Sequence, residues 1–225
     1  MINDFFGSFS WSTVTDALIT VIPALICITI HELAHGFTAY RFGDRTAKDM
    51  GRLTLNPIKH IDVIGMLMLL LFKFGWAKPV PVDMRNFKRP RLDMAVTAFA
   101  GPASNIALAA VILFIYGLVF VPFGGLYGPA PGRVILRIIE RTAYLSVALA
   151  VFNLIPFPPL DGSKVLFSFL SDSSYFKLMR YERYGVFVLL IIMNTPVFKM
   201  TVGLLTVKLY NILFAIARTT FGFVN

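Results

Sequence analysis

The chain has 225 residues, of which 57% are hydrophobic and 15% charged. Soluble domains carry about a quarter charged residues, so a soluble globular fold is excluded. The formal charge is +9, but Lys and Arg sit in the connections between apolar runs. That is the pattern of cytoplasmic loops under the positive-inside rule, and it sets nucleic-acid binding aside.

Met1 to Thr13 is aromatic, with Phe5, Phe6, Phe9 and Trp11 suited to a membrane interface, and it lacks the basic start of a secretory signal. Val14 to Phe42 predicts a helix of about 29 residues, roughly 43 Å long, enough to cross a ~30 Å hydrocarbon core. Pro23 is a place for a bend. Arg41 and Arg45 follow, which puts the N-terminus outside and the end of this helix in the cytoplasm. The single cysteine, Cys27, excludes an intramolecular disulfide and is expected to pack in the helix.

The connections Arg41–Lys59 and Lys73–Arg91 are both strongly basic, and Ile61 to Phe72 between them is shorter than the ~17 residues a spanning helix needs. A re-entrant or buried segment returning to the cytoplasmic side is therefore expected. Its flanks, Gly51–Leu55 and Lys78–Val82, alternate like short strands, with Pro79 and Pro81 confining the second to an edge.

Met94 to Val121 predicts a second span, Pro122 to Pro131 an outer turn, and Ile138 to Ile155 a third span stopped by Pro156, Pro158 and Pro159. A short helix from Gly162 to Leu170, a marginal apolar helix from Tyr184 to Asn194 and a final helix from Val197 to Phe223 follow. The last carries Lys199, Lys208 and Arg218 and is placed partly in the interface. No polar block is large enough for a separate soluble domain. Residues 1–225 are read as one membrane-embedded domain, with a core at about 14–171 and C-terminal helices at about 184–223.

The first helix contains His31-Glu32-Leu33-Ala34-His35, three ionisable groups in an apolar run where such groups are costly and mark function. On a helix, positions i and i+4 differ by roughly 40° around the axis, so both imidazoles share a face and can hold one tetrahedral ion. Glu32 beside them is placed to take a proton from a water whose pKa the ion has lowered to about 7, the chemistry of amide hydrolysis. An open zinc site needs a third protein ligand. His60 lies in the basic connection and reads as interfacial. Asp161, framed by the prolines at the cytoplasmic end of the third span, has matching depth; its alternative reading is a helix N-cap. Asn105 in the second span needs a hydrogen-bond partner within the bundle.

These features together carry a resemblance. The H-E-x-x-H of the first helix, Gly51-Arg52-Leu53-Thr54-Leu55-Asn56-Pro57, Gly75-Trp76-Ala77-Lys78-Pro79-Val80-Pro81-Val82, Ala100-Gly101-Pro102 with Asn105, and Asn153-Leu154-Ile155-Pro156 running on to Leu160-Asp161-Gly162 resemble the site-2 protease family of intramembrane zinc metalloproteases. The likeness is closest to its short bacterial branch, without a PDZ domain, and covers roughly Ile22 to Leu170. The resemblance implies an all-α polytopic helical bundle with a three-helix catalytic core and short membrane-associated strands or a re-entrant segment. It implies one Zn2+ ion held by His31, His35 and Asp161, Glu32 as general base, and Asn105 and Asn153 handling substrate. It also implies a transmembrane protein substrate in a lipid bilayer, cleaved toward the cytoplasmic side of a bacterial cell membrane.

Two other classes fit part of this pattern. A divalent-metal transporter would use the same three ligands in transit, but it requires no Glu32 and would need further ionisable groups along a path. A non-catalytic scaffold with a structural zinc would need closed four-ligand coordination.

Overall fold

A computed structural model describes residues 11–72, 77–120 and 129–221. Phe5, Phe6, Phe9, Gly75, Trp76 and most of the outer turn expected at 122–131 fall outside the described residues. Nine α-helices are formed among those described. They are α1 Trp11–Arg41, α2 Thr46–Asp49, α3 Val63–Phe72, α4 Pro90–Phe120, α5 Ala130–Asn153, α6 Asp161–Phe167, α7 Asp172–Arg180, α8 Glu182–Met193 and α9 Pro196–Phe221.

α1 encloses Pro23 and runs on to Arg41. Gly43, at φ +106°, then turns the chain in a conformation other residues rarely adopt, and the Asp44 N–H returns to the Ala39 carbonyl at 3.0 Å. Pro90 opens α4, where its missing N–H costs nothing, and the Asp93 carboxylate accepts the Arg89 N–H at 2.9 Å.

α1, α4 and α5 pack on one another, and α9 packs against α4 and α5. The seam is rich in small residues: Ala109, Ala143 and Val147 are fully buried beside Leu113 and Val151, and Val202, Leu209, Tyr210 and Leu213 of α9 close over them. Small side chains let helix backbones approach closely, which is how helices associate where lipid removes the hydrophobic drive. Facing away are Val111, Phe114, Leu118, Leu204, Ile212 and Ile216, all exposed, an apolar surface that suits lipid.

Among the described residues three helices are long and apolar enough to cross a membrane: Ile19–Arg41, Pro90–Phe120 and Pro196–Ile216. The expected third span is a helix at the right place, α5, but Arg133, Arg137, Glu140 and Arg141 in its first half keep it out of that group. The final helix, expected to be partly interfacial, is apolar enough to join it. α3 has 10 residues, about 15 Å of helix and half of a ~30 Å core.

The two short strands expected at Gly51–Leu55 and Lys78–Val82 are not formed among the described residues; one isolated antiparallel bridge, Ile61 with Ala77, stands in their place. The backbone groups that a ladder would use are taken by side chains. Buried Arg52 donates from Nη2 to the carbonyls of Lys78 at 2.8 Å and Pro79 at 3.2 Å. The Val80 N–H goes to Glu32, and Pro79 and Pro81 have none to give. His60 is buried within the protein; its Nε2 lies 2.9 Å from the Thr54 carbonyl.

Candidate active site

Helical spacing on α1 brings His31 and His35 together, with ring centroids 4.5 Å apart in a T-shaped arrangement. Their Nε2 atoms are 3.0 Å apart. Asp161 reaches them across 130 positions of sequence, its Oδ2 3.1 Å from His31 Nε2 and 3.2 Å from His35 Nε2. The three atoms form a nearly equilateral triangle. Tetrahedral ligand atoms at ~2.1 Å from zinc lie about 3.4 Å apart, so the triangle fits the ion after opening by a few tenths of an ångström. Two imidazole nitrogens and one carboxylate oxygen also make a borderline donor set of the kind zinc takes, with a fourth position left open. Among the described residues these are the ones grouped to hold a metal, and Cys27 and His60 are not with them. Cys27 is fully buried in packing, its thiol 3.4 Å from the Thr142 carbonyl.

Asp161 is the first residue of α6, and Leu160, not Asp161, is the N-cap. The capping alternative for this aspartate is therefore not realised; its carboxylate turns to the histidines. The tight fold of 154–162 needs glycine next to it, since a Cβ on Gly162 would stand 2.3 Å from the Leu154 carbonyl oxygen.

Glu32 faces the same cavity, of about 500 Å³, that is lined by His31, His35, Asp161, Val80, Asn153 and Lys164 among others. Its Oε2 accepts the Val80 N–H at 2.7 Å. Arg52 holds the carbonyls just before Val80, so the guanidinium aims this N–H. Lys164 pairs with Glu182 at 3.5 Å on the cavity wall.

Of the two asparagines, Asn153 lines the cavity and its Nδ2 donates to the Leu149 carbonyl at 2.9 Å. Asn105 does not line it; it is fully buried behind His31, its amide 3.2 Å from Nδ1. The sequence left three contributors unnoticed: the Val80 N–H, the Thr97 carbonyl, 2.7 Å from His35 Nδ1, and Gly101, whose bare Cα lies against both rings. Two are backbone groups, which no residue type announces.

The family model described as Peptidase family M50 matches residues 128–194, the stretch holding Asn153 and Asp161. Over 176 residues, 78% of this chain and 80% of the relative, the sequence is 41% identical to a Bacillus subtilis protein named "Putative zinc metalloprotease YwhC". The chain belongs to peptidase family M50. Rip2 of Mycolicibacterium smegmatis, which carries the same designation as YwhC, is 28% identical over 76% of this M50 chain and 65% of its own length. MJ0611 of Methanocaldococcus jannaschii, named likewise, is 29% identical over 71% of this chain and 76% of its own. No solved structure matches. With three helices among the described residues able to cross a bilayer, this M50 peptidase is an integral membrane protein.

Proposed function

We propose that the chain is an intramembrane zinc metalloprotease that hydrolyses a peptide bond within or next to a transmembrane segment of a membrane protein. The observation that carries this is the convergence of His31, His35 and Asp161 on one point, with the Glu32 carboxylate on the wall of the same cavity. The zinc designation of the relatives agrees with the donor set. His31, His35 and Asp161 hold one zinc ion. When bound, the ion supplies Lewis acidity, polarising a carbonyl and acidifying water at neutral pH.

Glu32 is the general base. It accepts a proton from the attacking water and returns it to the leaving amine as the C–N bond breaks. The Val80 N–H fixes Oε2, which leaves Oε1 to carry that proton. Asn153, on the cavity wall, handles the substrate backbone; its Nδ2 donates to the Leu149 carbonyl, which leaves Oδ1 for that contact. A substrate helix hides its peptide bonds in i to i+4 hydrogen bonds and must unwind before attack.

The basic residues after α1 support an N-terminus outside and a site toward the cytoplasmic side. α3, half the length of a span and flanked by basic connections, is proposed as re-entrant. α1, α4 and α5 form the catalytic core, α9 covers it, and the whole chain is one membrane-embedded domain.

Glu32→Gln is expected to retain stoichiometric zinc and abolish cleavage of a reconstituted transmembrane substrate; undiminished turnover removes Glu32 from the mechanism. Asp161→Ala is expected to lower zinc content, and tight stoichiometric zinc in that variant refutes the ligand set.

A further inference from the structure

We infer that Asn105 is a positioning residue that acts through His31, selecting the ring tautomer able to bind zinc, and not a substrate contact. The inference rests on His31, His35 and Asp161 being the zinc ligands. A neutral imidazole has one N–H and one lone pair, so Nε2 can ligate only if the proton sits on Nδ1. That N–H, when buried, needs an acceptor, and such outer partners commonly orient metal-binding histidines.

For His35 the acceptor is settled by chemistry. Its Nδ1 lies 2.7 Å from the Thr97 carbonyl, which can only accept. For His31 the group in the equivalent place is the Asn105 side chain, placed with its Nδ2 3.2 Å from Nδ1. An amide can present either its oxygen or its nitrogen, and the two are interchanged by a half-turn of the side chain. With Nδ2 toward the ring, His31 would carry its proton on Nε2 and could not ligate, and the buried Asn105 Oδ1 has no hydrogen-bond partner. No hydrogen bond therefore holds Oδ1 away from His31. With Oδ1 toward the ring, Nδ1–H donates to it and the Nε2 lone pair points at Asp161 and His35.

Three features reinforce the assignment. Asn105 is fully buried, so water has no route to replace its oxygen. Its own carbonyl accepts the Ser146 hydroxyl at 2.8 Å, which ties α4 to α5 at this level. Thr97, Gly101 and Asn105 follow one another at four-residue spacing on α4. They present a carbonyl, a bare Cα and an amide to the two rings, so one helix face supports both histidines.

The test is zinc affinity of purified protein in detergent, stripped and titrated against a competing chelator, with KM measured at saturating zinc. Asn105→Leu, which keeps the size and loses the acceptor, is expected to weaken zinc binding about 10- to 100-fold with KM unchanged. Asn105→Asp restores an acceptor and is expected to return affinity to within a few-fold of wild type. Asn105→Ala, which adds no bulk, gives the same comparison should the leucine variant fail to fold. Wild-type affinity in the acceptor-free variants, or an aspartate variant as weak as they are, overturns the role of Asn105 alone. Zinc binding by the wild-type chain that is indifferent to His31→Ala refutes the ligand set itself.

Discussion

Replacing Gly101 by alanine probes how tightly α4 is pressed against the metal centre. The new Cβ would lie 2.4 Å from His35 Nε2 and Cε1 and 2.7 Å from His31 Cε1, where ordinary contact begins at 3.4 Å. Something must yield by about 1 Å, and the rings have little freedom, because His35 is bonded to the Thr97 carbonyl and His31 to Asn105 on the same helix. Zinc–ligand distances tolerate only ~0.2 Å. Overpacking of this kind costs about 1–3 kcal/mol of stability. Zinc affinity is expected to fall by ~100-fold, the upper range for changes behind metal ligands. At a zinc concentration 1,000 times the wild-type Kd, binding stabilises the wild type by about 4.1 kcal/mol, and the variant by about 1.4. The assay is thermal unfolding of stripped and zinc-loaded protein side by side. A Gly101→Ala variant whose zinc-dependent rise in Tm equals that of wild type refutes the close-approach reasoning.

Gly162→Ala drives a Cβ to 2.3 Å from the Leu154 carbonyl oxygen, a backbone atom that cannot rotate away, so displaced Asp161 and reduced zinc content are expected in metal analysis. Arg52→Ala removes the donors to the Lys78 and Pro79 carbonyls and is expected to cost about 1.5–3 kcal/mol in unfolding measurements. Zinc content should stay unchanged; its loss would mean that this segment holds the ligands as well as Glu32. Asp44 is buried just beyond α1; burial raises its pKa, but bonds from the Thr46 hydroxyl, the Asp83 N–H, the Asn86 amide and the Thr46 N–H outweigh it and hold the carboxyl below its usual range. Its contribution is therefore present above the unfolded value of about 3.9 and lost as pH falls through the lower folded value. Asp44→Asn is expected to lower Tm at pH 7, with the gap to wild type closing below about pH 4; a gap that does not change with pH contradicts this.

The long helices were legible because apolar runs of spanning length have few other solutions in lipid; most ends lie within a few residues of expectation, but α5 begins at Ala130 and not at Ile138, and α7 was not expected. α5 and α9 exchanged roles in that respect: Arg133, Arg137, Glu140 and Arg141 outweigh an apolar second half in α5, while Lys199 and Lys208 sit in an otherwise apolar stretch of α9 from Pro196 to Ile216. The strands were misread because alternation at Lys78–Val82 says nothing of where backbone groups go, and here Arg52 and Glu32 take them. At the site, His31, Glu32 and His35 announce themselves by type and spacing. Asp161 had two readings in the sequence, and only its approach to the histidines from 130 positions away separates ligand from cap. Asn105 was expected to find a hydrogen-bond partner in the bundle, but that the partner is His31, and that Thr97 and Gly101 of the same helix face brace the imidazoles, depends on what stands opposite them.

The most direct measurement of the central claim is cleavage of a single-span substrate by the protein in liposomes, with the cut site mapped by mass spectrometry before chelation, after it, and after zinc is returned. The account predicts a cut within or beside the spanning segment, lost on chelation, restored by zinc, and absent in His31→Ala under all three conditions. Cleavage that survives complete removal of metal, or that persists in His31→Ala, would contradict it.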